Sequence, residues 1–347
     1  MKTEAAVLVG LDDSTMDELR ELAITAGARI IGETVQSRVR PDPATYIGKG
    51  KIEELRHTVD DNDISVVIVD DELSPVQARN IEEALDTKVV DRTGLILDIF
   101  ASRAKTKEGK LQVELALLSY QLTRLSGSRA HLSRLGGGIG TRGPGETKLE
   151  MDRRRIRTRI SVLKREIEQI RKHRHLHRER RKKDSLPMVS LVGYTNAGKS
   201  TLFRALSREE TLVSSRLFST LDTLIRKIKL GGEHQILISD TVGFIRKLPH
   251  QLVSAFRATL EEVVESDLIL HVIDASDPDL DEKRRVVLEV LEEMGAGDHR
   301  RLTVYNKTDL LSPGDALPKM QSQEFCVSAV TGEGLLPLVA EIERELG

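Results

Sequence analysis

The clearest chemistry in the sequence lies in a glycine-bounded loop that ends in lysine and serine and follows a short apolar run, residues 188–192. The backbone N–H groups of such a loop can wrap phosphates at the amino end of a helix, where the dipole favours anions. In this G-x-x-x-x-G-K-[ST] pattern we expect Lys199 to reach the β- and γ-phosphates and Ser200 to bind Mg²⁺. The residues expected to bind nucleotide here are Gly193, Tyr194, Thr195, Asn196, Ala197, Gly198, Lys199, Ser200 and Thr201.

A second motif ends another apolar run further along the chain. It consists of Asp240, Thr241, Val242 and Gly243. We expect the Asp240 carboxylate to hold the magnesium shell and the Gly243 amide to meet the γ-phosphate. Lys199 and Gly243 are therefore candidate catalytic residues.

Two motifs in the last part of the chain have the chemistry to select guanine. They are Asn306, Lys307, Thr308 and Asp309, followed by Ser328, Ala329 and Val330. A carboxylate at Asp309 can accept from both N1–H and N2–H₂ of guanine, a donor pair that adenine lacks. The Ala329 amide can donate to guanine O6. Because the four motifs occur together in this order, the sequence predicts a guanine-nucleotide site within residues 187–347.

The elements that must position these motifs are short apolar runs followed by loops and helical patterns. Residues 188–192, 236–239 and 302–305 are expected strands, and the apolar pattern at 335–346 is the expected last helix of this domain. Strand, loop and helix in succession is the context that a phosphate loop requires.

The N-terminal residues 1–105 alternate short apolar runs with amphipathic stretches. The predicted strands are Ala5–Val9, Arg29–Thr34, Val66–Val69 and Val89–Val90. The predicted helices are Met16–Ala26, Lys51–Val59 and Pro75–Leu85, and Ser74 before Pro75 is typical of a helix start. This alternation predicts a small parallel α/β domain, since parallel strands need helical crossovers.

In the middle segment, 106–186, the spacing of the apolar residues changes. Leucines from 111 to 125, and isoleucines and a leucine from 156 to 170, recur every three or four residues. Six glycines within 136–145 separate the two stripes and exclude helix or ordinary strand there. The pattern predicts an antiparallel helical hairpin with a glycine-rich loop at its tip; the alternative is that both stripes pack on a core.

Basic residues are concentrated in the same segment. Residues 101–183 contain 24 lysines and arginines against 8 acidic residues, although the whole chain has a net charge of −2. This asymmetry favours a nucleic-acid partner over a merely solvated helix face. The low aromatic content, 3% with no tryptophan, argues against base stacking. Candidate RNA contacts are Arg129, Arg134, Arg142, Arg153, Arg154, Arg155, Arg157 and Arg159.

The remaining composition excludes some classes of protein. A single cysteine, Cys326, excludes an intramolecular disulfide framework. No apolar run approaches the length of a membrane-spanning helix, and no signal peptide is recognisable. We therefore expect a soluble, cytosolic and monomeric protein without a membrane segment.

The motifs of residues 187–347 resemble the translation-factor class of GTP-binding proteins. Phe218, Ser219, Thr220, Leu221 and Asp222 lie where that class has its first switch. The resemblance implies that Thr220 joins Ser200 and Asp240 as a Mg²⁺ ligand and takes part in hydrolysis when γ-phosphate is present. The alternative for Thr220 is an ordinary loop threonine.

The rest of the chain resembles the HflX family. The resemblance is carried by residues 46–51 (Tyr-Ile-Gly-Lys-Gly-Lys), by Val89, Asp91, Arg92 and Thr93, and by the glycine-rich stretch 136–150. It implies binding of GTP and GDP, and binding to the ribosome, chiefly to the large subunit and its rRNA, with separation of stalled ribosomes. Other interpretations are a ribosome-assembly or tRNA-modification GTPase, and an RNA-binding scaffold with negligible turnover. Residues 48–51 could bind phosphate, as an ATP link in the family suggests, or form a tight turn.

Two residues depart from Ras-like enzymes. Phe244 stands where those enzymes carry a glutamine that orients water, so we expect slow intrinsic hydrolysis that a partner stimulates. Asn196 matches the asparagine with which potassium-stimulated relatives hold K⁺, or it simply forms the loop.

Together with the resemblance, these features predict a multidomain α/β protein. Its parts are a small parallel domain (1–105), a basic helical hairpin (106–186) and a Ras-like doubly wound P-loop GTPase domain (187–347).

Overall fold

The computed structural model describes residues 4–127, 148–183, 186–207, 217–218, 220–221, 223–229, 235–247, 261–312 and 322–346, with the backbone alone at 126–127, 148 and 173–183. The described residues form two compact units. One comprises those within 1–102 and 110–168, and the other those within 103–109 and 169–347. The candidate arginines Arg129, Arg134 and Arg142, the glycine-rich loop 136–145, Ser219 and Asp222 lie outside the described residues.

The first unit is built on a four-stranded parallel sheet of order β2-β1-β3-β4. Its strands are β1 (Ala5–Gly10), β2 (Arg29–Val35), β3 (Val66–Val69) and β4 (Lys88–Asp91). Its helices are α1 (Met16–Ala26), α2 (Lys49–Asp61), α3 (Pro75–Leu85) and α4 (Arg92–Arg103). The predicted parallel α/β arrangement is confirmed, and α4 is an element that the sequence analysis did not identify.

Local signals account for the start of α3. The Ser74 hydroxyl accepts from the Gln77 amide, the Gln77 side chain accepts from the Ser74 amide, and Pro75 takes the first helical position. This capping box satisfies two amide donors that the helix leaves unpaired. Gly48 is the extended N-cap residue of α2 and residues 49–51 form the first turn of that helix, where Lys51 pairs with Glu54 at 2.7 Å. The predicted tight turn at 48–51 is therefore the start of a helix.

Two long helices follow, α5 (Lys107–Gly127) and α6 (Lys148–Lys183). The predicted apolar stripe on α6 is the less exposed face, with Leu163 fully buried and Ile167 9% exposed. Across the pair, Arg159 donates to both carboxylate oxygens of Glu114 at 2.7 and 2.8 Å. Both stretches are therefore helical, as the spacing predicted.

Arg153 does not fit the prediction of an exposed RNA contact. Its side chain is 8% exposed. It lies three residues before Ile156 and ten before Leu163, so helical geometry places it on the apolar face. The neighbouring Arg154, Arg155 and Arg157 point away from that face and are exposed.

Helix α5 is attached to the sheet of the first unit through one buried carboxylate. Asp91, at the end of β4, accepts from the Tyr120 hydroxyl and from the Gly94 amide, both at 2.8 Å. Because of such contacts residues 110–168 group with residues 1–102, whereas the sequence analysis treated 106–186 as a separate segment. The two predicted domain boundaries, after residues 105 and 186, stay predictions.

The second unit contains a six-stranded sheet of order β10-β9-β8-β5-β7-β6, parallel except for β6. Its strands are β5 (Met188–Gly193), β6 (Leu224–Lys229), β7 (Gln235–Asp240), β8 (Leu268–Asp274), β9 (Arg301–Asn306) and β10 (Glu324–Cys326). Its helices are α7 (Lys199–Ser207), α8 (Leu280–Glu293) and α9 (Leu335–Leu346).

The order of the strands explains where a site forms. In the sheet, β6 and β7 lie on one side of β5, and the strands that come later in the chain, β8 to β10, lie on the other side. The direction in which strands are added therefore reverses at β5. Ligands of open parallel sheets bind in the crevice at such a reversal, at the carboxyl ends of the strands. All four sequence motifs follow strands β5, β7, β9 and β10 at that edge. Across the described part of the chain, no helix has the length and apolar character of a membrane span.

Candidate nucleotide-binding site

The loop after β5 approaches its neighbours too closely for side chains at its two glycines. A Cβ on Gly193 would lie 2.2 Å from the Val272 carbonyl oxygen, and one on Gly198 would lie 2.1 Å from Nδ2 of Asn306. Gly198 also has a φ of +90°, in the left-handed region that favours glycine. The glycines of the motif are therefore required by the loop geometry as well as by phosphate approach.

Lys199 is folded back into this loop. Its Nζ donates to the carbonyl oxygens of Gly193 at 3.0 Å and Tyr194 at 2.8 Å. Burial lowers the pKa of Lys199 to about 8, and the nearby Asp240 opposes that shift. The ammonium group is thus held in the loop by uncharged acceptors, which phosphate oxygens can replace with stronger, charge-assisted bonds.

The three residues expected to bind Mg²⁺ meet at one point. The hydroxyls of Ser200 and Thr220 both donate to Oδ2 of Asp240 at 2.7 Å and lie 2.8 Å from each other. The other carboxylate oxygen, Oδ1, is buried and has no hydrogen-bond partner among the described residues. Burial raises the pKa of Asp240, and the two hydroxyl bonds oppose that shift.

This oxygen set fits magnesium. Mg²⁺ takes hard oxygen ligands in octahedral geometry and is usually bound by one or two carboxylates together with substrate phosphates. The part of the chain that the structure describes has no group of three or more His, Cys, Asp or Glu side chains placed to hold a metal ion by themselves. A metal at Asp240 would therefore need the two hydroxyls and phosphate oxygens to complete its shell.

The base-binding motifs are joined by one buried amide. Nδ2 of Asn306 donates to the Ala197 carbonyl oxygen, and its Oδ1 accepts from the Ala329 amide, both at 3.0 Å. The predicted donor to guanine O6 is therefore already bonded to Asn306 in this arrangement. Asp309, expected to bind the base edge, is exposed and accepts from the Ser328 hydroxyl at 2.6 Å.

The segment after Gly243 runs alongside the phosphate loop. The Phe244 amide donates to the Gly193 carbonyl at 3.1 Å, and the Thr195 amide donates to the Phe244 carbonyl at 2.7 Å. The Tyr194 hydroxyl accepts from the Arg246 amide at 2.7 Å. The Phe244 ring is 2% exposed, so it packs into the interior and presents nothing that could orient a water molecule.

The remaining sequence-predicted residues take varied positions. Asn196 is exposed and has a φ of +64°, a conformation that asparagine tolerates, which fits the alternative in which it forms the loop. Phe218 and Leu221 are buried beside Thr220, and Val330 is 76% exposed.

Residues outside the predicted motifs also support the site, among them Asp274, Arg246 and Gly334. Lys307 pairs with Asp274 at the end of β8 at 2.6 Å. The Arg246 guanidinium pairs with Glu282 at 2.9 Å and Asp279 at 3.3 Å near the start of α8. Position 334, just after the last motif, has no room for a side chain, because a Cβ on Gly334 would lie 2.1 Å from the Cys326 carbonyl oxygen. Asp274 had a local signal in the sequence, because it is an acidic residue at the end of an apolar strand.

Family models cover most of the chain. Residues 13–101 match a model described as "GTP-binding GTPase N-terminal" and residues 103–181 one described as "GTP-binding GTPase Middle Region". Residues 188–307 match "50S ribosome-binding GTPase". That last range contains the phosphate loop, the magnesium-binding candidates and the first two residues, Asn306 and Lys307, of the first guanine motif.

Individual relatives align over nearly the whole chain. GTPase HflX of Caldanaerobacter subterraneus is 53% identical over 99% of this chain and 81% of its own length. GTPase HflX of Escherichia coli is 45% identical over 99% of this chain and 83% of its own length. Among solved structures, a GTP-binding protein from Sulfolobus solfataricus in complex with GDP is 26% identical, covers 99% of each chain and has a TM-score of 0.52.

The contact between Gly198 and Asn306 gives a direct test of the loop. We expect Gly198→Ala to lower GDP affinity by roughly tenfold or more, because the new methyl group must displace Asn306 and distort the cradle. Gly295→Ala is the matched control: Gly295 also has a positive φ, +79°, but a Cβ there meets nothing within 4 Å. Titration calorimetry should show normal affinity for the control. Equal affinities for the two variants would contradict the proposed geometry.

Asp309 gives a test of base selection. Asp309→Asn removes the acceptor for two guanine donors, and we expect GTP affinity to fall on the order of 100-fold. The asparagine amide can instead donate to the C2 carbonyl of xanthine, so xanthosine triphosphate should gain affinity. A gain for one base excludes unfolding as the cause. An unchanged preference for GTP, measured by competition against a fluorescent GDP, would show that Asp309 does not read the base.

Proposed function

The chain belongs to the HflX family of GTPases, and on that premise we propose that it is a Mg²⁺-dependent GTPase that binds the large ribosomal subunit and separates stalled ribosomes under stress. Ribosomes are the expected partner, with GTP and GDP as ligands, so the protein would act in the cytosol as a monomer. The three-part division at residues 105 and 186 is proposed with it, the middle part contacting rRNA.

Hydrolysis would use groups that the site already brings together. Ser200, Thr220 and Asp240 would hold Mg²⁺, which would supply positive charge to offset the negative charge of the phosphates. Lys199 would exchange its two carbonyl acceptors for phosphate oxygens. Gly243 lies beside Lys199, and its amide would donate to the γ-phosphate. These residues hold and polarise the triphosphate; none of them is placed to remove a proton from water.

The buried Phe244 makes slow turnover the expected resting behaviour. The position that follows Gly243 offers no polar group, so the attacking water must be oriented by something else. A partner that contacts the segment 243–246 could supply that group. We therefore propose that the ribosome stimulates hydrolysis.

The observation that carries the ribosomal part of the proposal is the exposed arginine face of α6. Arg154, Arg155 and Arg157 are exposed, and Arg155 is 83% exposed. Between 151 and 183 there are 15 basic residues and 4 acidic ones, too few for pairing along the helix. Such a face neutralises phosphates of an RNA backbone and releases their counterions.

Two other functions fit part of this pattern. A ribosome-assembly or tRNA-modification GTPase would share the nucleotide site but respond to an assembly intermediate or to free tRNA. An RNA-binding scaffold would bind GTP and show negligible turnover with any partner. Turnover measured with intact ribosomes, free tRNA and no RNA separates the three.

The arginine face can be tested by ribosome co-sedimentation with a non-hydrolysable GTP analogue. We expect a triple variant, Arg154→Ala, Arg155→Ala and Arg157→Ala, to weaken binding and to reduce the slope of log K against log salt by about 2 to 3. GTP affinity should stay unchanged, because these residues are outside the nucleotide site.

The control removes the same charge elsewhere. Arg56, Arg285 and Arg344 are exposed arginines outside the middle segment, and replacing them by alanine should leave the salt slope intact. If both triple variants bind ribosomes as the wild type does at moderate salt, the RNA contact lies on another surface.

Potassium is a second, separable part of the proposal. Asn196 is exposed on the loop, and an oxygen ligand there could hold K⁺ where an arginine finger would act. We expect hydrolysis to be on the order of tenfold faster in potassium than in sodium. Asn196→Gly keeps the positive φ, since glycine adopts it without strain, and removes the ligand. The variant should therefore lose the potassium stimulation and keep GDP binding. Stimulation that persists in the variant would exclude Asn196 as the ligand.

A further inference from the structure

The side chain of Thr195 lies at the γ-phosphate end of the site. A Cβ built on Gly243 would lie 2.9 Å from Nζ of Lys199 and 2.9 Å from both Cα and Cγ2 of Thr195. Lys199 and Gly243 are the two groups expected to meet the γ-phosphate. The Thr195 side chain is therefore a third group at the same place.

The hydroxyl of Thr195 requires a partner. The residue is 7% exposed, and Oγ1 is buried with no hydrogen-bond partner among the described residues. A buried hydroxyl that makes no hydrogen bond forfeits the solvation it had in water, a cost that native structures rarely accept. An apolar residue of the same shape would avoid that cost.

Two partners are within reach of this hydroxyl. Thr195 lines a cavity of about 10 Å³ that also touches His271, room for one water molecule. Both ring nitrogens of His271 are buried without a partner in the described part of the chain, and burial lowers its pKa to about 3, so the ring is neutral. A water there would serve Thr195 and His271 whichever nucleotide is bound.

The other partner is the γ-phosphate itself. A rotation of about 120° around the Cα–Cβ bond moves Oγ1 into the staggered position that Cγ2 now occupies, and Cγ2 lies on the side of Lys199 and Gly243. A hydrogen bond to a charged phosphate oxygen is about twice as strong as one between neutral groups, so it would be favoured over water.

We propose, building on the GTPase function above, that the Thr195 hydroxyl donates to a γ-phosphate oxygen and so discriminates nucleoside triphosphate from diphosphate. The same residue is connected to the segment 243–246, because its amide donates to the Phe244 carbonyl at 2.7 Å. Thr195 thereby joins recognition of the γ-phosphate to the position of residues 243–246.

The test compares Thr195→Val, which keeps the shape and loses the hydroxyl, with Thr195→Ser, which keeps the hydroxyl. Affinities for GDP and for a non-hydrolysable GTP analogue are measured by titration calorimetry for the full chain. We expect Thr195→Val to lose on the order of 10- to 100-fold in affinity for the analogue and much less in affinity for GDP, which has no γ-phosphate. Thr195→Ser should retain most of the analogue affinity.

Three outcomes would overturn the inference. Wild-type affinities of Thr195→Val for both nucleotides would show that the hydroxyl touches neither. An equal loss for GDP and the analogue would assign it to the water beside His271 or to the structure of the loop. A loss in Thr195→Ser as large as in Thr195→Val would assign the effect to the methyl group. Failure of the wild type to bind either guanine nucleotide would instead refute the proposed GTPase function, and this inference with it.

Discussion

Asn306 connects the two halves of the site through a single buried amide. Its Nδ2 holds the carbonyl of Ala197 in the phosphate loop, and its Oδ1 holds the amide of Ala329 in the last motif. Three loops from strands distant in sequence are thereby fixed at hydrogen-bonding distance. The approach is possible only because Gly198 has no side chain. A displaced Asn306 would therefore disturb phosphate binding and base binding together, because it bonds to the phosphate loop and to the last base-binding motif.

Electrostatics sets a second constraint on the same site. Lys199 and Asp240 are both buried, and burial lowers the pKa of the first and raises that of the second. In each case the environment disfavours the charged form, which is the form that binds phosphate or metal. A triphosphate with its metal carries the opposite charge to each residue, so ligand binding relieves the desolvation that folding imposes. The residues are positioned in advance, while their charges are stabilised mainly by the ligand.

Local sequence patterns predicted much of this molecule. Strand β3 and helices α1, α3 and α9 have the predicted limits, because each is specified by its own local pattern of apolar residues and α3 also by its capping box. The motif residues Ser200 and Asp240 could also be placed, since each ends or follows a strand at the same edge. The Asn306 bridge and the pairing of residue 244 with the phosphate loop could not, because they join segments far apart in sequence. The spacing of Arg153 from Ile156 indicated that Arg153 lies on the apolar face. It was nevertheless predicted to be an exposed RNA contact, because that prediction rested on charge alone.

The pairing of residues 243–246 with the phosphate loop bears on how hydrolysis could be controlled. Three hydrogen bonds hold this segment to residues 193–195, and the ion pairs of Arg246 anchor its far end to α8. Each bond contributes about 1 kcal/mol to that arrangement, so moving the segment requires a partner that gains more elsewhere. A large basic interface with RNA can supply such a gain, because many phosphate contacts act together. On the proposed function, with Phe244 in place of a glutamine, the group that completes the catalytic site would come with that movement, and turnover would follow from binding the partner.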